Sequence, residues 1–250
     1  MIVLKSRDEI EKLRRSNRIV AEVMMLLRER IRPGVTTGEL DELAEREIQV
    51  RGGSPAFKGY RGFRHALCIS VNEVVVHGIP GDRKLCEGDI VGIDCGVVAD
   101  GFYGDHAWTF PVGKVSAEAQ RMLDIGEAAL MAGIAEARPI NRLHDISAAV
   151  QGVTEGAGFS IVRDYVGHGI GRSLHEEPQV PNFGTAGTGM RLRSGLVLAL
   201  EPMINQGTWE TEVLDDGWTV VTKDRKLSVH FEHSVAITDD GPDILSRLDE

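Results

Sequence analysis

Cysteine is scarce in this chain, with three residues in 250, and aromatic side chains make up only 5%. Cys68, Cys86 and Cys95 are odd in number and form no C-x-x-C pair, which argues against a disulfide framework and fits a reducing, cytoplasmic setting. Positive charge is also in short supply. Lys and Arg number 28 against 38 Asp and Glu, a net charge of −10, so a grip on DNA through phosphate contacts is not expected. No apolar run approaches the length of a membrane span, and Met1–Lys5 is too short for the apolar region of a signal peptide. Low-complexity segments and linkers are missing too, so 1–250 reads as a single domain built from two halves, about 1–113 and 114–250.

What is there is repeated. Leu85-Cys-Glu-Gly88-Asp-Ile-Val-Gly-Ile-Asp94 and Leu192-Arg-Ser-Gly195-Leu-Val-Leu-Ala-Leu-Glu201 match at a constant offset of 107. Each is Leu-x-x-Gly, an apolar strand, then a carboxylate ending the strand. A charge at the end of a buried strand is costly unless something pairs with it, and here the cost arises twice. Asp105-His106 and Glu232-His233 form a second matched pair. Four carboxylates facing one site repel one another strongly without a cation between them.

The helices repeat as well. Ser6-Arg-Asp-Glu9 and Thr36-Thr-Gly-Glu39 are capping boxes ahead of apolar residues at helical spacing, and Pro33-Gly34 and Gly52-Gly53 stop the two helices. In the second half Ser116 opens a long helix that Arg138-Pro139 stops, and Asn141 opens a shorter one ending near Gly156–Gly158. Ile90–Val98 and Phe102–Val112 flank Asp100-Gly101, a two-residue hairpin signal. That turn pairs Ala99 with Phe102, Gly96 with Asp105 and Asp94 with Ala107, leaving Asp94 and Asp105 as diagonal neighbours on one face.

Gly167-His168-Gly169-Ile170-Gly171-Arg172 lacks the spacing and the following helix of a dinucleotide-binding loop. Its glycines are read instead as letting the backbone crowd a site and aim His168 into it. His175, seven residues on, and His77, after Val74–Val76, are further histidines that a site of this kind draws on.

Ile93-Asp94, Gly104-Asp105, Gly167–Gly171, His175-Glu176-Glu177-Pro178, Glu201-Pro202-Met203 and Phe231-Glu232-His233 together resemble the type I methionine aminopeptidases in their short bacterial form. The likeness runs over nearly the whole chain, with the motifs in the family's order. It implies an α/β pita-bread fold, two pseudo-symmetric αβ halves around a dinuclear metal site. The activity implied is removal of the N-terminal methionine from nascent proteins and peptides, preferring a small second residue, by a hydroxide bridging two divalent ions of Co, Mn, Fe or Zn. By resemblance Asp94, Asp105, His168, Glu201 and Glu232 hold the metal. His175 acts on the scissile carbonyl, His77 on the substrate backbone near the leaving amine, and Glu201 doubles as the acceptor of a proton from the attacking water. An oxygen-rich set of four carboxylates and one imidazole suits such ions.

Carried over in register, Tyr60, Phe63, Cys68, Met203 and Trp218, with Phe57 at the entrance, form an apolar cup for an unbranched thioether. A monovalent cation near Asn72, Val74 and Ser228 belongs to the same resemblance. Leu174, where an aromatic residue is common, and Gly96, where a hydroxyl or apolar residue is commoner, depart from the pattern and bear on pocket shape. Expected partners are the N-termini of nascent chains, with transient ribosome contact, no membrane, and a monomeric state. Proline-directed aminopeptidases and prolidases share this fold and ligand set but usually carry an extra N-terminal domain; the start at a catalytic-domain helix favours the methionine enzyme. A non-catalytic binding module of the same fold, having lost its ligands, is the remaining alternative.

Overall fold

Both anticipated capping boxes form. The Ser6 hydroxyl accepts the Glu9 N–H at 3.3 Å while the Glu9 carboxylate accepts the Ser6 N–H at 3.0 Å, and Thr36 and Glu39 do the same at 3.1 and 2.7 Å. They start α1 (Arg7–Arg30) and α2 (Thr37–Val50) of a computed structural model that describes residues 2–248. There follow β1 (Ser54–Pro55), β2 (Leu67–Val71), β3 (Val74–Val76), β4 (Ile90–Ala99) and β5 (Phe102–Pro111). The second half opens with α3 (Ala117–Glu136) and α4 (Leu143–Gly156). Its strands are β6 (Ser160–Ile161), β7 (Gly167–Gly169), β8 (Glu176–Val180), β9 (Val197–Leu200), β10 (Met203–Asn205), β11 (Thr211–Val213), β12 (Val220–Thr222), β13 (Ser228–His230), β14 (His233–Thr238) and β15 (Gly241–Ile244).

In the first half, β4 pairs with β1 and β2 on one edge and with β5 on the other; in the second, the order is β15-β14-β9-β7-β8. Two three-stranded sheets, β13-β10-β6 and β11-β12-β3, complete the framework, and the β12–β3 pairing joins the halves. Gly88 and Gly195, equivalent in the repeat, adopt φ of +91° and +92°, so the same left-handed turn feeds both β4 and β9. The Asp100-Gly101 hairpin is in the anticipated register, with both central residues at positive φ.

Two details differ from the sequence reading. Asp94 lies mid-strand in β4, because the hairpin extends that strand to Ala99; among the matched carboxylates, Glu201 is the one that directly follows its strand. The shorter helix starts at Leu143 with Arg142 as its cap residue. Asn141 instead donates to the Glu136 carboxylate at 2.6 Å, and Asp145 accepts the Arg142 N–H at 2.7 Å.

One hydrophobic core packs α1 and α2 on β2 and β4 through Val20, Leu27, Leu40, Ile69 and Ile93. Another packs α3 and α4 on β9 and β14 through Met122, Leu130, Ile146, Leu198 and Val235, and Trp108 touches both. Across the seam, Ser234 Oγ donates to the Asp105 carbonyl (2.9 Å), Glu232 N–H to the Ala107 carbonyl (2.8 Å) and Thr109 Oγ1 to the His230 carbonyl (2.8 Å). That bridge sets Asp105 beside Glu232. Among the described residues no helix is long and apolar enough to cross a membrane. Gly104 lets α1 lie flush on β5: a Cβ there would stand 2.6 Å from the Asn17 backbone nitrogen. Gly104→Ala is therefore expected to destabilise the fold by about 1–3 kcal/mol, seen as a lower urea midpoint at unchanged slope.

Candidate active site

Strand alternation and the seam bring the four carboxylates together. Asp94 and Asp105 abut across β4–β5, and Glu232 enters from the turn between β13 and β14. Glu201 leaves the end of β9, its backbone carbonyl accepting from Asn182 Nδ2 at 3.0 Å. His168, central in β7, points its Nε2 at Glu201 Oε1, 3.4 Å away. Its Nδ1–H donates to the Gly169 carbonyl at 2.9 Å, which leaves the Nε2 lone pair free to face the cluster. Gly167 and Gly169 make this possible by close strand packing; a Cβ at either would stand 2.4 Å from a carbonyl oxygen of a neighbouring strand.

The cluster has polar atoms that the protein leaves unmet. Asp94 Oδ1, Asp105 Oδ1, Glu232 Oε1 and His230 Nε2 are buried and have no hydrogen-bond partner among the described residues, and each such group is expensive unless something satisfies it. Among the described residues no Lys or Arg forms an ion pair with any of the four carboxylates. Asp105, His168 and Glu232 offer ligand atoms all within 4.8 Å of one another. A donor set of this kind, short of positive charge, fits divalent cations.

Without cations, burial keeps protons on the acids. It pushes Asp94 up to about 7 and Glu201 up to about 8, and raises Asp105 and Glu232 well above the carboxylate range, with their mutual repulsion adding to the effect. Burial lowers His168 and His77 to about 4, so both are neutral at physiological pH. In metal-free protein the native state thus holds protons that the unfolded chain has released above its ordinary carboxylate pKa. Stability therefore falls as pH rises toward 8, while histidine titration acts only below about 6.5. Chelated protein should lose up to about 1.4 kcal/mol per pH unit for each proton the native state still holds, the Asp94 share fading above about 7 and that of Glu201 above about 8. Adding a divalent metal should flatten that slope in a thermal-melt series.

Beside the acids lies an apolar cup. Phe57, Phe63, Cys68 and Leu174 are buried together with Ala56, and Tyr60 and Trp218 pack against them. Gly96 is explained here: a Cβ would meet the Phe57 ring at 2.6 Å, so the phenyl group occupies the space a side chain would take. Leu174, 3% exposed, fills its position as part of the cup. Cys68 lies opposite Asp94 in the β2–β4 register, linking cup to acids, and burial pushes its thiol pKa up so that it stays neutral. Met203 does not join the cup. It packs with Val75, Val76, Val162 and Val220 in an adjoining cluster, because β10 pairs it with His230.

Two further histidines, His77 and His175, lie beside the apolar residues Trp218 and Tyr60. His175 is exposed; its Nδ1 is 2.9 Å from the Tyr60 hydroxyl and its ring lies 4.4 Å from that of His168. The cup walls partly desolvate this solvent-facing ring, and that, followed by the nearby Arg61, lowers its pKa and favours the neutral form. His77, at a left-handed φ of +59°, turns its ring edge-on to Tyr165 and Trp218. Asn72 and Ser228 lie together, the Ser228 N–H donating to the Asn72 carbonyl at 2.9 Å. Their side chains are engaged with Asp89, Ile90 and Asn205, and Val74 pairs with Val221.

The sequence reading missed His230 and Asn17. His230 Nε2 lies 3.6 Å from Glu201 Oε2, and its position two residues before Glu232 was the available signal. Asn17, on α1, accepts the Asp105 N–H at 3.3 Å through Oδ1; no local pattern reveals that contact.

Residues 11–239 match the model of metallopeptidase family M24. A methionine aminopeptidase of Clostridium perfringens is 53% identical over 99% of this chain and 100% of the relative. The crystal structure of a methionine aminopeptidase from Rickettsia prowazekii superposes with a TM-score of 0.97 at 40% identity, covering 99% of this chain and 100% of that one. A prolidase from Pyrococcus furiosus shares the fold alone, at a TM-score of 0.79 and 22% identity over 99% of this chain and 66% of its own. The architecture is thus the pita-bread fold, and the chain belongs to metallopeptidase family M24, within it to the methionine aminopeptidases.

Proposed function

We infer that this chain is a metal-dependent aminopeptidase that removes N-terminal methionine from nascent proteins and peptides with a small second residue. The observation that carries this reading is the acid cluster, with buried oxygens left unmet, opening beside a sulfur-tolerant apolar cup. The residues that would hold two divalent ions (Mn, Fe, Co or Zn) are Asp94, Asp105, His168, Glu201 and Glu232. When bound, such ions supply Lewis-acid polarisation of a carbonyl and lower the pKa of water.

The chain's own groups do the rest. Tyr60, Phe63, Cys68 and Trp218 take the methionine side chain and exclude water from it, with Phe57 closing the wall behind Gly96. The Tyr60 hydroxyl donates to His175 Nδ1, so the neutral ring carries its proton on Nε2 and donates it to the carbonyl oxygen as negative charge develops there. His77, neutral and fixed by Tyr165 and Trp218, orients the substrate backbone near the leaving amine. Glu201, largely buried beside His168, accepts the proton of the attacking water and passes it to the leaving amine. The whole chain is proposed to act as one catalytic domain, a cytoplasmic monomer that meets its substrates as they leave the ribosome.

A free amino terminus is small and basic and sits well against four acids, whereas a formyl cap is bulkier and removes the basicity. Positioning of the first peptide bond is then lost, and positioning is worth several powers of ten in rate. Met-Ala-Ser is expected to be cleaved rapidly, Lys-Ala-Ser very slowly because its charge is buried without a partner, and N-formyl-Met-Ala-Ser at least about a hundredfold more slowly than the free peptide. Comparable kcat/KM for the free and formylated peptides contradicts the aminopeptidase reading. Preference for an X-Pro peptide over Met-Ala, with metal content verified, would favour the prolidase alternative.

A further inference from the structure

The side chain proposed to donate to the scissile carbonyl is poorly held by its own contacts. His175 is exposed and, among the described residues, makes a single side-chain hydrogen bond, with the Tyr60 hydroxyl. Its placement therefore depends on the backbone of the loop from Gly171 to His175. That loop is tied to one carboxylate: Glu176 Oε1 accepts the Arg172 N–H at 2.8 Å and the Ser173 N–H at 3.2 Å, closing the chain back on itself. The other oxygen, Glu176 Oε2, holds Lys5 Nζ at 2.5 Å, from 171 residues away in sequence.

This ion pair is built into the fold. The Lys5 side chain is only 4% exposed and that of Glu176 17%. Lys5 is fixed independently of the loop, its N–H donating to the Gly195 carbonyl at 2.7 Å and its ammonium also to the Val3 carbonyl at 3.1 Å. The loop backbone lies flush on the pair, for a Cβ at Gly171 would stand 2.5 Å from both Glu176 Oε1 and Lys5 Cε. The Gly171 carbonyl in turn accepts the Tyr103 N–H at 2.9 Å. The one guanidinium in the loop, that of Arg172, turns away to Glu9 and the Phe102 ring, so Lys5 is the cation that balances Glu176.

We propose that Lys5 and Glu176 act as a clamp that positions His175, so that the N-terminal strap sets the geometry of the carbonyl-facing histidine. Neither touches the substrate; both are positioning residues. Lys5→Met leaves a largely buried carboxylate without its cation, which loosens the loop, and a misplacement of about 1 Å costs up to about a hundredfold in rate. The inference rests on the aminopeptidase reading for its kinetic arm only.

The test uses the metal-loaded enzyme, with Lys5→Met, Glu176→Gln and the double variant, on Met-Ala-Ser. Expected is a kcat about ten- to a hundredfold lower in each single variant, KM within about threefold, unchanged metal content, and a double variant no worse than the poorer single. In 15N-histidine spectra the His175 imidazole signal should move while those of His106 and His233, on the far side of the acids, stay. A purely structural pair lowers Tm without moving kcat or that signal. The clamp is overturned if either single variant keeps kcat within twofold of wild type, if the losses multiply in the double, or if His175 is unmoved. Should Lys5→Met fail to fold, Glu176→Gln, which keeps the shape and both backbone bonds, decides by the same readouts. If wild type fails to cleave Met-Ala-Ser, the functional reading falls, and the His175 signal alone still judges the clamp.

Discussion

Asp105→Asn is expected to abolish methionine release and to lower bound divalent metal, as chelation should in the wild-type chain. Asp105 is 4% exposed, its Oδ1 has no protein partner, and it abuts Asp94 within reach of His168 and Glu232. The amide is the same size, so packing around β5 survives and the Ser234 hydroxyl still donates to the backbone carbonyl of residue 105. What changes is one negative charge and one acceptor pointing at the cluster, and a neutral amide serves two cations poorly. The variant should fold, and in the metal-free state gain stability near pH 8, because the amide replaces a carboxyl that must hold its proton in the native state. Mn, Co or Fe should restore chelated wild type but not Asp105→Asn. Full activity in the variant, with metal verified absent, would sink the metal-dependent reading.

His175→Ala should lower kcat by about two powers of ten or more, the range for a lost donor to a developing oxyanion. Its metal content should match wild type, since its Nδ1 is engaged with the Tyr60 hydroxyl and the ring stands at the apolar cup. His168→Ala should behave differently. Its Nε2 faces Glu201 with a free lone pair, so metal affinity falls along with the rate. Tyr60→Phe offers an intermediate test: the ring stays in the cup, but the hydroxyl that fixes the His175 tautomer is gone, so kcat should drop more than KM rises. If His175→Ala also empties the metal site, the division between ligand and donor is wrong.

Much of this site was legible before any coordinates, for reasons that are local or repetitive. Capping boxes at Ser6 and Thr36 act within one turn of helix, and Asp100-Gly101 dictates a hairpin, so α1, α2 and the β4–β5 register followed from neighbouring residues. The hairpin register put Asp94 and Asp105 on one face, and the 107-residue repeat added Glu201 as the partner of Asp94. The order of the motifs identified the family. Asn141 was misread as the start of α4 because Asp145, three residues into the helix from Arg142, supplies the cap instead.

Tertiary structure alone decided the groups whose partners lie far along the chain. Asn17 reaches Asp105 across 88 residues, and Lys5 reaches Glu176 across 171. Met203, placed in the cup by similarity, packs elsewhere because β10 pairs it with His230. Gly96, a departure in the sequence, became intelligible once the Phe57 ring was seen in its place. The division has a physical cause. Capping, turns and alternation are set by a few adjacent residues, whereas the cost of a buried polar atom is met by whichever group the assembled fold brings within about 3 Å.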